Sequence, residues 1–222
     1  MLKILCLFEQ SGTFKNILKA RGHYAIDCDI ENRFNETDYQ INIFAELTRP
    51  CFFDRYDLVF AFFPCTWFSR QNNLLISGNS YSMRNWSDEK KQAYIKNRLA
   101  ERDRARKALE RLVFYCTTQK VPLIVENPAG DYIKQILGEP NVKHMRSHYG
   151  DDYQKITYWY TYNCQINVDK MKVYKKGRYS QKHVEHEKHT SDKERQLLRS
   201  IISPVYAENL INAIELKGVE QL

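Results

Sequence analysis

Between Asp57 and Ser69 the chain reads Asp-Leu-Val-Phe-Ala-Phe-Phe-Pro-Cys-Thr-Trp-Phe-Ser, and this run limits the fold more than any other stretch. Residues 58–63 are apolar without alternation, the pattern of a strand covered on both faces, as in parallel sheets flanked by helices. Pro64 stops the run, because proline cannot donate to a ladder. Cys65 is then left at the strand's carboxyl end, the edge where open α/β sheets bind ligands. A cysteine there is either a small apolar filler, as most free cysteines are, or a nucleophile. The neighbouring strands have to decide between the two.

The other apolar runs alternate with helical patterns. Leu2–Phe8 reads as a first strand, Glu9-Gln10-Ser11-Gly12-Thr13 as a turn, and Phe14, Ile17 and Leu18 as the inner face of a helix stopped by Gly22. Tyr24–Asp29 is a second strand ending on acids. This opening is that of a nucleotide-binding βαβ unit: the turn lets a ligand approach the backbone, and the terminal acid accepts from ribose hydroxyls. A βαβ unit without a ligand has the same pattern. Residues 39–44 read as a short third strand, with Asn42 near its end either facing a ligand base or serving turn chemistry. Residues 121–125 form a fifth strand, with Glu126-Asn127-Pro128 at its carboxyl end.

Residues 70–98 are polar and read as an exposed loop leading into a helix capped by Ser87 and running to about 119. Ala105, Ala108, Leu109, Leu112, Val113 and Cys116 form its inner stripe, and Arg98, Arg102, Arg104 and Arg106 read as a solvated face. A short helix over 131–137, a β segment over 157–162 and a last helix over 204–216 complete the pattern.

Composition narrows the partners. A formal charge of +7 and a pI near 9.0 suit a polyanion such as nucleic acid. A mean hydropathy of -0.61 and the lack of a long apolar run argue against a membrane span. The opening Met1–Phe8 meets Glu9 too soon for a signal peptide. None of the six cysteines has zinc-site or redox spacing, and several lie in apolar runs, as expected of cytoplasmic thiols. His183, His186 and His189 are spaced three apart, but their lysine and glutamate neighbours read better as a solvated segment than as metal ligands. Residues 165–195 interleave lysines and arginine with Tyr174 and Tyr179, a composition suited to phosphates and unstacked bases.

A ligand turn at 9–13, Cys65, and the pair Glu126-Asn127 thus converge on one sheet edge. With Phe8 and Gly12, then Asp29, then Pro64-Cys65, then Glu126-Asn127, the order resembles that of the cytosine 5-methyltransferases acting on DNA. His148-Tyr149-Gly150 with Lys155-Ile156-Thr157, and Ser203-Pro204 with Ala207 and Leu210, are similar to later signatures of that family. The likeness therefore spans most of the chain and is nearest to short, phage-type members.

The resemblance implies a Rossmann-like α/β methyltransferase fold with a mixed, mostly parallel sheet. The catalytic domain would comprise 1–164 and 199–222, with 165–198 a short basic insertion that contacts nucleic acid. It implies S-adenosylmethionine as cofactor, held by Phe8, Gly12, Thr13, Asp29, Asn42 and Pro64. It implies Cys65 as the nucleophile on a flipped-out cytosine of DNA, Glu126 as the group that stabilises the protonated ring, Asn127 as its orienting partner, and Lys155 as a nearby cation. With so little room for target recognition, the resemblance implies a protein partner that supplies it. Where the family has glycines in the turn this chain has Gln10 and Thr13; Asn42 stands for an aspartate, and Tyr153, Lys155 and Thr157 stand for a glutamine and two arginines. Two alternatives stay open: a relative that binds nucleic acid without methylating it, and a methyltransferase acting on RNA or a free nucleotide.

Overall fold

The computed structural model describes residues 1–47, 55–174, 201–218 and 222. Among them, seven strands form one sheet in the order β3-β2-β1-β4-β5-β7-β6. Strands β1 (Lys3–Leu7), β2 (Tyr24–Asp29), β3 (Tyr39–Gln40), β4 (Leu58–Phe62) and β5 (Leu123–Pro128) run parallel. Strand β7 (Ile156–Tyr162) pairs antiparallel with both β5 and β6 (Val142–Met145). The fold is therefore α/β, with a mixed and mostly parallel sheet.

Strand periodicity explains how one sheet supports two cores. Ile4 and Cys6 of β1 and Leu58 and Phe60 of β4 face α1 (Thr13–Ala20) and α6 (Pro204–Ala213), through Phe14, Leu18, Tyr206 and Leu210. Leu5 and Leu7, with Val59 and Ala61, face α4 (Asp88–Thr118) through Ala105, Leu109, Leu112 and Cys116. Both layers bury the central strands almost completely, which is why their sequences lack alternation.

The chain leaves β1 for β2 on one side and enters β4 on the other. The crevice between β1 and β4 is the point where strand order reverses, and such points bind ligands. The turn after β1 and the loop carrying Cys65 both open onto it.

Four boundaries differ from the sequence reading. The third strand stops at Gln40: the Asn42 carbonyl accepts from the amides of Ala45 and Glu46, turning the chain into α2 (Ile43–Glu46), which buries Ile43. The expected loop after Cys65 instead holds α3 (Arg70–Ile76), capped by Ser69, and a 3-10 turn at Tyr81–Met83 that buries Met83. The last helix ends at Ala213, because Ile214–Leu216 form β9, paired with β8 (Cys164–Ile166). Finally, Glu126 and Asn127 lie within β5 rather than beyond it.

The first part of the expected basic insertion is built into the body. Ile166 and Met171 join the α1–α6 core, and Asn209 of α6 bonds both the amide and the carbonyl of Lys172. Residues 175–198, including His183, His186 and His189, lie outside the described residues. Among the described residues no helix is long and apolar enough to cross a membrane.

Candidate active site

Pro64, with φ -55°, leads β4 into a 3-10 turn at Cys65–Trp67, whose Cys65 carbonyl accepts from the amides of Phe68 and Ser69 at 3.1 and 2.9 Å. Asn127 on the neighbouring strand fixes this loop: its Nδ2 donates to the Phe63 carbonyl at 3.1 Å, and the side chain is fully buried. A buried amide bonded to a backbone carbonyl is costly to remove, since the carbonyl would be left unsatisfied. The loop after β5 closes on the same structure. A Cβ on Gly130 would meet the Phe68 carbonyl at 2.8 Å, and the Phe68 and Tyr132 rings stack with centroids 6.1 Å apart.

Glu126, only 6 % exposed, points an Oε1 to within 3.9 Å of Lys155 Nζ. Burial raises the Cys65 thiol above its ordinary value; the Lys155 cation opposes that shift and the Glu126 carboxylate adds to it. Burial thus sets the direction, and the two charged groups act on the sulfur in opposite senses. Among the described residues, Glu126 Oε1, Asn127 Oδ1 and Thr157 Oγ1 are buried without a hydrogen-bond partner. Thr157 pairs with Pro128 across β5 and β7, so all three belong to one corner of the sheet edge. Orphaned acceptors in such a corner fit a polar ligand carrying donors.

Phe8 links this corner to the turn after β1. It holds a left-handed backbone (φ 60°) through a 2.8 Å bond from its amide to the Cys28 carbonyl. Its ring packs against Phe63 at 4.7 Å and against Phe44, just past Asn42, at 5.6 Å. Gly12 also has a left-handed φ of 64°, which favours glycine; a Cβ there would come within 2.8 Å of Glu36 Oε2, the mobile end of an exposed side chain. Thr13 opens α1, and its hydroxyl pairs with Ser11 at 3.0 Å.

Two side chains of the turn bind the chain itself. Glu9 caps α1 by accepting from the amides of Phe14 and Lys15 at 2.6 and 3.2 Å, and burial pushes its carboxyl up to about 7. Gln10 Nε2 donates to Asp29 Oδ1 at 3.3 Å, while Glu31 N donates to the same oxygen at 2.8 Å. Gln10 Oε1 is buried and, among the described residues, without a partner. Asp29 is itself buried at the end of β2, whereas Asn42 is exposed at the start of α2.

The structure thus gathers Pro64, Cys65, Glu126, Asn127 and Lys155 at one corner, with Phe8, Gly12, Thr13 and Asp29 at the adjacent turn. Asn42 lies beside the turn through Phe44. Together they offer a ligand the Asp29 carboxylate, the exposed Asn42 amide and the apolar Phe8 ring. Sequence reading placed Thr157 only in a late signature, gave Arg98 to a solvated face, and missed Asn72. Arg98 donates through Nε and Nη2 to Asn72 Oδ1 at 3.1 and 2.7 Å, and Asn72 Nδ2 donates to the Trp67 carbonyl at 2.9 Å. An arginine on a polar helix carries no signal for such a bond, since its partner is 26 residues away.

A depression of about 420 Å³ lined by Leu2, Asp57, Lys120 and Pro122 lies at the opposite, amino-terminal edge of the sheet and holds none of these groups. No family model and no curated protein matches the chain.

Proposed function

We propose that the protein is an S-adenosylmethionine-dependent methyltransferase that modifies carbon five of cytosine in DNA through a covalent adduct on Cys65. The observation that carries this reading is the corner where Cys65, Glu126, Asn127 and Lys155 meet, with Asn127 bonded to the Phe63 carbonyl and the Phe63 ring packed on Phe8 of an adenosine-compatible turn. A nucleophile beside a buried carboxylic acid suits addition to an electron-poor ring with a nitrogen to be protonated. Bound between Phe8, Gly12, Asp29 and Asn42, S-adenosylmethionine would supply an electrophilic methyl group.

The chain's own groups perform the rest. Cys65 Sγ gives its proton to solvent and bonds to carbon six of the base, and Glu126 delivers a proton to the ring nitrogen as the carbon five–carbon six electron pair moves onto the ring. Carbon five thereby becomes nucleophilic and accepts the methyl group. A solvent base takes the proton on carbon five, which expels Cys65 as thiolate and restores the double bond between carbons five and six, and the ring-nitrogen proton returns to Glu126. Asn127 holds the loop that positions the sulfur, and Lys155 favours the thiolate. The base must leave the helical stack, because carbon six cannot be reached within it.

Incubation with labelled S-adenosylmethionine and mixed-sequence DNA tests this reading. Label entering DNA with wild-type protein and not with Cys65→Ala supports it; no transfer, or transfer unchanged in the variant, removes it.

A second reading is favoured by the Gln10–Asp29 bond, which engages an anchor of the cofactor turn within the chain. It is a nucleic-acid binder that does not methylate. Calorimetry with S-adenosylhomocysteine separates the two: micromolar binding favours the enzyme, and its absence alongside salt-dependent DNA affinity favours the binder.

A further inference from the structure

Helix α4 is two helices in chemical terms. Its buried residues begin at Ala105, so Asp88–Arg104, about 25 Å at ~1.5 Å per residue, extends without a side chain in the core. The inner half neutralises its own charge. Arg104 pairs with Glu101 at 3.1 Å, Lys107 with Asp103 at 2.7 Å, and Arg106 with both Asp103 and Glu110 at 2.7 Å. That ladder is an ordinary solvated face.

The outer half is different. Between Arg84 and Arg98 five cations (Arg84, Lys90, Lys91, Lys96, Arg98) stand against Asp88 and Glu89, and Lys91 approaches Asp88 only at 3.8 Å. Trp86, just before the helix, and Lys90, Tyr94, Arg98 and Arg102 within it recur at intervals of four, so each neighbours the next along an inclined ridge. Cations and rings alternate along it. Lys90 Nζ lies 4.5 Å over Trp86, Trp86 meets Tyr94 edge-on at 5.2 Å, and the Arg98 guanidinium lies 5.8 Å from Tyr94.

The inner end of the stripe is fixed to the active corner. Arg98 stacks 4.8 Å over Trp67, two residues past Cys65, and Arg102 lies 4.2 Å over Tyr132 while donating to Asn73 at 3.0 Å. At the outer end Arg84 lies 3.8 Å over Tyr81, a ring 73 % exposed.

We propose that this stripe is a DNA track, a surface that neutralises phosphates and stacks bases along the strand presented to Cys65. Cations in excess of acids, interleaved with the exposed Tyr81 and the half-buried Trp86 and Tyr94, are the chemistry of backbone neutralisation and base stacking. From Lys90 to Arg102 the stripe runs about 18 Å, on the order of five phosphate spacings of one duplex strand. It supplies recognition surface from the main body, next to the nucleophile. The proposal rests on the methyl-transfer reading for the base it delivers, and its own content is the location of DNA binding.

Fluorescence anisotropy of a labelled DNA duplex, titrated with the full chain at several salt concentrations, tests it. Arg84 and Lys90 touch only the rings beneath them in the contacts above, so Arg84→Gln/Lys90→Gln keeps the fold, checked by an unchanged thermal melt. The expected result is about tenfold weaker binding and a salt slope reduced by about 1.8, the loss of two phosphate contacts. Trp86→Leu is expected to weaken binding with the slope retained. Wild-type affinity and slope in both variants overturn the track, even if Cys65-dependent methyl transfer is observed. Weakened binding in the variants without any methyl transfer by wild-type protein upholds the track and removes the methyl-transfer reading instead.

Discussion

Burial holds the Cys65 thiol above its ordinary value, Lys155 pulls it down and Glu126 pushes it further up. Removing each neighbour therefore has a definite sign. Glu126→Gln is expected to lower the pH at which Cys65 reacts with iodoacetamide, and Lys155→Ala to raise it; rate–pH profiles of alkylation measure both. Glu9 offers a second titration. Its carboxyl is raised from 4.5 to about 7, so the folded protein holds a proton that the unfolded chain has released. Stability then falls as pH rises from about 4.5 to 7, by on the order of 3 kcal/mol, and stays reduced above that. Urea melts across this window are expected to show that component in wild-type protein and not in Glu9→Gln.

Helix α1 rests on a buried ion pair. Lys15 Nζ lies 3.2 Å from Asp27 Oδ1 with both side chains almost wholly buried, and 3.5 Å from Asp38. Asp27 Oδ1 also accepts from the Asp38 amide at 2.7 Å. Lys15→Met strands the aspartate, and a loss of about 3–5 kcal/mol is expected in equilibrium unfolding. Lys15→Met/Asp27→Leu should recover only part of it, because the Asp38 amide loses its acceptor. Helix α6 is tied down by Tyr206, whose hydroxyl accepts from Trp159 Nε1 at 2.9 Å and meets His144 Nε2 at 2.6 Å. Burial lowers His144 to about 4, so the ring is neutral at physiological pH. Tyr206→Phe should cost about 1–3 kcal/mol in the same measurement, since it leaves the Trp159 donor unpaired in the core. The sequence made α1, β2, α4 and β5 legible because apolar spacing and caps are local signals: Ser87 does cap α4, accepting from the Lys90 amide. It hid α3, whose short polar turn is held by distant Arg98, and β9, whose apolar residues continue a helical pattern until pairing with β8 claims them.

At the scale of the whole molecule, the sheet's reversal between β1 and β4 brings together residues far apart in the chain. The meeting of Pro64-Cys65 with Glu126-Asn127 was legible, because each pair follows or ends an unambiguous apolar run and parallel strands put those ends on one edge. The Asn127–Phe63 bond, the Phe8–Phe63 contact and the orphaned Thr157 were not, because they depend on register and rotamer rather than on periodicity. The self-satisfied turn was equally hidden: Gln10 is visible in sequence, but its bond to Asp29 is not. Whether that corner adds to a cytosine ring is open to direct trapping. In DNA bearing 5-fluorocytosine the last step cannot occur, because carbon five carries fluorine where a proton must leave. With S-adenosylmethionine present, the account predicts a protein–DNA species that survives denaturing electrophoresis, forms with wild-type protein, and is absent with Cys65→Ala. No such species across a mixed-sequence DNA pool, or one that persists in Cys65→Ala, would contradict it.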